Sequence, residues 1–370
     1  MERNKTMLII GAGAHYPYLY PLSEDISKKI ALLYSEILEL KKNPEINKLA
    51  EGEILQLYYP KNPKKEMIEI LEICRLMPLA GVYNMAPSRL FSTLDIPREN
   101  YYMYVHINFL NYLEKFLEKF LKSRSRSIDD YLILSKEGGG EYELGKLLIA
   151  YFLFQSETRP LGYERDWIEL YIDRFIVGED NIEHIRAGNI HKIYTFNYDL
   201  NFERNIFNAI QMRMNFSGDE AAKIVKLLKI RHIYGGFQTG IINSFDYFRP
   251  NEEKEDIIIK ATQNISLIRS NNWIWKDREN FQADFKTSEN IFFLGFGFDP
   301  INSKNIFKDI RSETNKNCIS TNLLSRTHAN RTVDFYRQFG LSINFFEAVS
   351  YTHLRAHETD SYLVCRLLLE

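Results

Sequence analysis

Short apolar runs that end in glycine or a small polar residue recur at widely separated places in this chain. Met7-Leu8-Ile9-Ile10 leads into Gly11-Ala12-Gly13-Ala14, and Ile193-Tyr194 leads through Thr195-Phe196 into Asn197-Tyr198-Asp199. His232-Ile233-Tyr234 ends at Gly235, and Ile291-Phe292-Phe293-Leu294 runs into Gly295-Phe296-Gly297-Phe298-Asp299. Runs of this length predict buried strands at 7–11, 192–196, 231–234 and 290–295, with two more at 316–320 and 342–346. Between the first and the second the period changes. His106 to Leu121 sets Ile107, Leu110, Leu113, Leu117 and Phe120 at three- and four-residue steps, with Glu114, Lys115, Glu118 and Lys119 opposite. Residues 145–154 and 166–176 repeat that pattern. The fold predicted is α/β: a Rossmann-like, doubly wound parallel sheet with a large helical insertion after the first strand. Residues 1–30 and 186–349 form the discontinuous sheet domain, and residues 31–185 the insertion.

Local signals punctuate the pattern. Tyr59-Pro60-Lys61-Asn62-Pro63-Lys64-Lys65 reads as a turn-rich basic loop. Ser127 is placed to cap a helix, with Asp130 three residues on. Gly138-Gly139-Gly140 reads as a turn, since no strand precedes it. The segment from about Ser350, with Tyr351-Thr352-His353-Leu354-Arg355-Ala356-His357-Glu358-Thr359-Asp360, resembles translated adapter read-through. On that expectation residues 350–370 stand outside the fold, and His353, His357 and Cys365 carry no function. The alternative is a short helix from Tyr362 to Leu369.

Composition narrows the function classes. At 370 residues and 45% hydrophobic content, the chain is long enough for one large core or two modest ones. The formal net charge of −2 gives no general pull toward nucleic acid. No apolar stretch approaches the roughly 20 residues needed to span a bilayer, and the run Met7–Ile10 is too short for a secretory signal. The expected location is the cytoplasm. Cys74, Cys318 and Cys365 form no CxxC pair.

The candidate chemistry sits at the strand ends. Gly11-Ala12-Gly13 either brings the backbone close to a pyrophosphate or makes a plain tight turn; Tyr16 stands where the third glycine of GxGxxG would be. Asn197 either holds a ligand hydroxyl or water through its amide, or closes the strand in an Asx turn with Asp199. Alternation sends His232 and Tyr234 to one face, where His232 is a general base or a structural histidine. Asp299 and Asn302 either hydrogen-bond a ribose or begin a helix at Pro300.

The order GAGA, TFNYD, a His/Gly strand end and FLGFGFD…N resembles the bacterial sirtuin-like family, whose domains bind and often hydrolyse NAD. The match is scattered over roughly residues 7–302, with accessory matches at 127–132 and 145–150. The resemblance implies that Gly11, Ala12 and Gly13 cradle the phosphates. It implies that Asn197, supported by Asp199, orders the nicotinamide ribose and the attacking water, and that Gly295, Gly297 and Asn302 border the adenosine ribose. Ala14, His15 and Thr195 fall among the nucleotide-contacting positions. The chain departs from the family in three ways. Tyr234 stands directly before Gly235 where the family places its catalytic histidine, so that either His232 takes the role in a shifted register or Tyr234 faces the ribose. His15 replaces a usual serine and is either an extra ligand contact or without a role. The four-cysteine zinc module of the protein deacylases is missing, so no zinc is expected. The activity implied is an NAD glycohydrolase releasing nicotinamide and ADP-ribose, in an antiphage setting, with a homo-oligomer or a defence complex as partner. A catalytically inactive NAD or ADP-ribose sensor is the alternative, with an NAD-dependent deacylase behind it.

Overall fold

The structure is a computed structural model, and it describes residues 3–18, 20–42, 54–58, 70, 102–125, 127–132, 135–157, 167–237, 254–267, 278–297, 303, 307, 317–322, 337 and 343–347. The strands in chain order are β1 (Thr6–Ile10), β2 (Ile54–Tyr58), β3 (Tyr102–His106), β4 (Lys192–Thr195), β5 (Arg231–His232), β6 (Asn290–Leu294), β7 (Asn317–Asn322) and β8 (Ile343–Glu347). The helices are α1 (Ser23–Lys41), α2 (Ile107–Ser123), α3 (Ile128–Leu132), α4 (Gly140–Glu157), α5 (Trp167–Phe175), α6 (Glu179–Arg186), α7 (Asn201–Met214), α8 (Gly218–Leu227), α9 (Lys254–Asn264) and α10 (Arg278–Thr287). A 3-10 helix, Ala12–Tyr18, follows β1 directly.

Six strands form one sheet in the order β5-β4-β1-β6-β7-β8, and every pairing is parallel. Counted along the sheet's own strands this is the 3-2-1-4-5-6 order of dinucleotide-binding α/β proteins. The order reverses between β1 and β6, which therefore bound the crevice where such folds take ligands. Leu8 is aligned with Ile193 on one side and Phe292 on the other, and Ile10 with Thr195 and Leu294. Side chains alternate across a strand, so β1 serves two layers. Leu8 and Ile10 pack with Ile193, Phe292 and Leu294 against Trp167, Ile168, Phe202, Ile206 and Ile210 of α5 and α7. On the opposite parity Tyr194 meets Phe281 of α10 edge-on at 4.9 Å, and Phe285 of α10 and Phe293 both pack on Phe307. Helices thus cover both faces, which is why β1 reads as an unbroken apolar run.

Two compact units divide the chain. One is Met1–Tyr20, Ser156–Asn251 and Asn272–Glu370; the other is Pro21–Gln155 and Glu252–Asn271. α5 and α6 fall in the sheet unit, although the sequence pattern resumes that domain only at 186, because Trp167, Ile168, Tyr171, Ile172, Ile182 and Ile185 share the core of β1 and β4. In the second unit α2 buries Leu110, Leu113, Leu117 and Phe120, the stripe its periodicity predicts. Ser127 Oγ accepts from Asp130 N at 3.0 Å, capping α3. α4 is apolar on all sides from Leu147 to Phe154, the mark of a helix enclosed by other elements. The second unit is not purely helical: β2 and β3 pair antiparallel, Ile54 opposite His106 and Tyr58 opposite Tyr102. The loop 59–65 and the tail from 350 lie outside the described residues.

One buried group ties stability to pH. His191, 2% exposed just before β4, contacts Tyr171 Oη through Nδ1 at 3.2 Å, with the Phe175 ring edge-on at 4.5 Å. Burial, helped by the positive charge of Arg3, pushes its pKa down to about 3 from an ordinary 6.5. The unfolded chain takes up this proton below 6.5 and the folded chain only near 3, so stability falls as pH drops between them. The slope from this residue is about 1.4 kcal/mol per pH unit at most. His191→Gln keeps a polar contact without the proton. Its urea midpoint should fall less steeply than the wild type's between pH 6.5 and 4; parallel profiles would show that His191 is not the group responsible.

Candidate active site at the carboxyl edge of the sheet

The turns that leave β1, β4, β5 and β6 are bound to one another through their backbones. Gly11 N donates to Leu294 O at 2.9 Å and Gly13 N to Gly295 O at 3.0 Å, locking the β1 turn to the β6 turn. Phe196 N donates to Ile10 O at 2.8 Å, Ile233 N to Thr195 O at 2.9 Å, and Phe237 N to Tyr198 O at 3.1 Å. Residues 11–15, 195–199, 232–237 and 294–296 therefore meet at one edge.

The glycines at this junction serve loop packing. A Cβ on Gly11 would lie 2.7 Å from Gly295 O and from Phe296 Cα, and one on Gly13 would lie 2.9 Å from Gly295 O. Gly295 has φ +57°, and a Cβ there would meet Ala14 N at 1.9 Å. The amides of Gly11, Gly13 and Ala14 are engaged within the protein, the last with Gly11 O at 3.0 Å. Of the cradle implied for Gly11, Ala12 and Gly13, the amides of Gly11 and Gly13 are therefore already engaged by the β6 turn, while Ala12 is exposed. Gly297 is exposed, with nothing within 4 Å of an added Cβ. Asp299 and Asn302 lie outside the described residues.

Next to the lock stands a group of buried polar side chains. His15, carried by the 3-10 helix after β1, is 1% exposed, and its Nδ1 lies 2.6 Å from Asp199 Oδ1. The Trp167 indole lies near-parallel to the His15 ring at 6.4 Å, and its Nε1 donates to Ala14 O at 2.9 Å. Asn197, 3% exposed, has its backbone N–H held by Thr195 Oγ1 at 3.1 Å; its Nδ2 lies 3.3 Å from Gly11 O and 2.9 Å from His15 Nδ1. Its Oδ1 is buried with no protein partner, and so is Nδ2 of the fully buried Asn201. Buried polar atoms without a partner are unusual in a native interior, and each of these could be met by a water or a ligand group.

The charges around them are paired. Asp199 also accepts from Asn201 N at 3.1 Å, at the start of α7. Burial works to raise its pKa, but the charge and hydrogen bond of His15, with Asn201 N and His232 behind them, hold it below the usual carboxylate range. His232 contacts Asn197 O through Nδ1 at 2.9 Å and Glu203 Oε1 through Nε2 at 2.6 Å. Burial opposes its charged form, yet Glu203, by charge and hydrogen bond, keeps its pKa above the ordinary imidazole value. Both ring nitrogens face acceptors, so His232 is a double donor. That leaves it no lone pair for the general-base role read from the sequence. Tyr234 is 1% exposed and packs edge-on against Phe196 at 5.5 Å, so its ring sits within an aromatic cluster. Beyond Asp199, Glu157 accepts from Leu200 N at 2.6 Å and from Arg204 Nη1 at 3.3 Å, and Arg204 Nη1 also donates to Tyr20 Oη at 3.1 Å. Burial raises the Glu157 carboxyl to about 7, against the pull of Arg204.

Sequence reasoning missed Trp167, Glu157, Glu203, Arg204 and Tyr20. A signal existed for two of them: Glu203 and Arg204 interrupt the apolar stripe Phe202, Ile206, Phe207, Ile210 on α7. Among the described residues no group of three His, Cys, Asp or Glu is arranged to hold a metal ion. Compared with protein-family models, characterised proteins and solved structures, the chain matches none.

The lock can be tested by a pair of substitutions. Gly295→Ala places a Cβ against Ala14 at positive φ and should cost more than about 3 kcal/mol or prevent folding. Gly297→Ala, in open space, should change stability by less than about 0.5 kcal/mol. Equal urea midpoints for the two variants would contradict the packing described.

Proposed function

We propose that this chain binds NAD at the carboxyl edge of its sheet and hydrolyses the nicotinamide–ribose bond, releasing nicotinamide and ADP-ribose. The reading is supported by the 3-2-1-4-5-6 strand order, by the resemblance of the four strand-end segments to sirtuin-like domains, and by the polar group beside the β1–β6 crevice. The observation that carries it is Asn197. Its amide is fixed by Gly11 O on one side and leaves Oδ1 buried and unpartnered on the other. A ribose hydroxyl or the attacking water supplies the hydrogen this oxygen lacks.

In the reaction the bond from ribose C1 to the nicotinamide nitrogen breaks, and the nitrogen keeps the electron pair. Water forms the new C1–O bond and gives up a proton. Asn197 contributes by holding the reacting groups in place. The phosphate-binding role does not rest on Gly11 and Gly13 in this reading.

A binding-only sensor of NAD or ADP-ribose is the second reading. It is favoured by the two positions that the family uses for its base: His232 has both nitrogens engaged, and Tyr234 is packed among aromatic rings.

Purified protein incubated with NAD should release nicotinamide and ADP-ribose in equal amounts. Asn197→Ala should lower that turnover about 10²-fold or more; because it also gives up the Nδ2 contacts with Gly11 O and His15 Nδ1, turnover is compared in variant protein whose unfolding transition shows it folded. Wild-type turnover in the folded variant would remove Asn197 from the reaction. Saturable NAD binding without products in the wild type would establish the sensor instead.

A further inference from the structure

We infer that His232, anchored by Glu203, is a positioning residue: its ring holds the Asn197 peptide and so fixes where Asn197 Oδ1 points. That this oxygen meets a reacting group rests on the NAD-hydrolase reading; the hold on Asn197 does not.

The need for such a hold comes from the shortness of β5. Ile233 N donates to Thr195 O at 2.9 Å, the rung with which the two-residue strand Arg231–His232 ends. The chain then turns through Gly235 and Gly236, both at positive φ, and Phe237 N reaches Tyr198 O at 3.1 Å. A Cβ on Gly236 would lie 2.2 Å from Tyr198 O, so this turn is pressed against the end of β4. Between the two rungs Asn197 O faces the His232 ring, with Nδ1 at 2.9 Å, in place of a backbone amide. On the other side of the residue Asn197 N donates to Thr195 Oγ1 at 3.1 Å. The peptide groups before and after Asn197 are thus both held, which sets the direction of its side chain. Nδ2 meets Gly11 O at 3.3 Å, and Oδ1 is left as the buried atom with no protein partner.

Glu203 makes the hold rigid. It lies in the first turn of α7, and its Oε1 is 2.6 Å from His232 Nε2. The His232 side chain is fully buried and that of Glu203 nearly so. A neutral imidazole would turn a lone pair toward one of the two oxygens, whereas the doubly protonated ring donates to both. Burial opposes that charge, but Glu203, Asp199 and the Asn197 carbonyl outweigh it and keep the pKa above the ordinary imidazole value. A buried, charged ring bonded on both sides turns only by giving up a charge-assisted bond. The start of α7 therefore grips the end of β4 twice. Asn201 N holds the Asp199 carboxylate at 3.1 Å, and Glu203 holds the Asn197 carbonyl through His232.

The test replaces both partners at once in the full chain. His232→Leu with Glu203→Met removes the two polar groups together and leaves neither charge buried alone, so the protein should stay folded. NMR of histidine- and asparagine-labelled wild type near neutral pH should show hydrogens on both His232 nitrogens. The Asn197 side-chain amide signals, assigned through Asn197→Ala, should shift or broaden in the double variant. His232→Asn in place of His232→Leu restores a donor near the Nδ1 position and should return those signals toward the wild type. With NAD, the double variant should lose about 10²-fold in kcat while NAD affinity changes by less than about threefold, the mark of a misplaced group rather than of lost binding. The form with His232→Asn should recover most of that turnover. A folded double variant with unmoved Asn197 signals, or a wild-type His232 with a bare Nδ1, overturns the inference. If the double variant does not fold, Glu203→Gln leaves a neutral ring with one hydrogen for two acceptors, and unmoved Asn197 signals there overturn it equally. Moved signals with unchanged kcat establish the hold and overturn the part given to Asn197 in hydrolysis. A wild type that does not cleave NAD overturns the hydrolase reading alone, and the NMR arm still decides the hold.

Discussion

The backbone lock between the turns after β1 and β6 is the constraint on which the rest of the site depends. Two hydrogen bonds, Gly11 N to Leu294 O and Gly13 N to Gly295 O, join the loops on either side of the point where the strand order reverses. They bring the chains so close that no side chain fits between them, and Gly295 adopts a left-handed φ to make the approach. The lock sets where the 3-10 helix begins, and the helix in turn presents His15 to the end of β4. From there the network runs through Asn197 and Asp199 to α7 and through His232 to β5. Moving any one turn moves the others, because each donates to or accepts from its neighbour.

A buried group of carboxylates, an arginine and histidines is costly to assemble. Each charge removed from water loses several kcal/mol of hydration, and mutual attraction recovers this only when geometry and hydrogen bonds are good. Here Asp199 and Glu157 each accept a backbone N–H at the start of α7, where the helix dipole favours negative charge. Glu203 is matched by His232, and Glu157 by Arg204. An apolar filling of the same space would stabilise the fold at lower cost, so a polar network this extensive at a sheet's carboxyl edge supports the function proposed for it.

The parts legible in the sequence are those in which one local pattern determines the outcome. Met7 to Ile10 and Ile291 to Leu294 have unbroken apolar runs because both faces of the sheet are covered, and the runs end where glycine permits the lock. The stripe of α2 and the Ser127 cap are equally local. The pair β2–β3 is not legible: its strands are far apart in sequence, and a five-residue apolar run reads equally as strand or helix. The boundary of the sheet unit is obscured for a similar reason, since the face of α5 that packs on β1 and β4 has the same period as one packing on other helices. Within the site, Asn197 and Asp199 stand out at a strand end, whereas Glu157 closes a helix over forty residues earlier and only the fold brings it to Leu200.

The two histidines show why type and place in the sequence do not fix a residue's chemistry. His232 stands at a strand end near a glycine, close to where the resemblance expects a base, but the spacing differs by two residues. That shift puts the ring between the Asn197 carbonyl and Glu203, two groups that can only accept. His15 occupies a position with no such expectation, on a 3-10 turn rather than a strand. There its neighbours include the Asp199 carboxylate and the Asn197 amide at Nδ1 and the rings of Trp167 and Tyr20. A strand-end ring held by acceptors on both sides is fixed as a double donor. The distinction lies in the hydrogen-bond partners, which come from α7, β4 and α5, and no inspection of the residues around either histidine would reveal it.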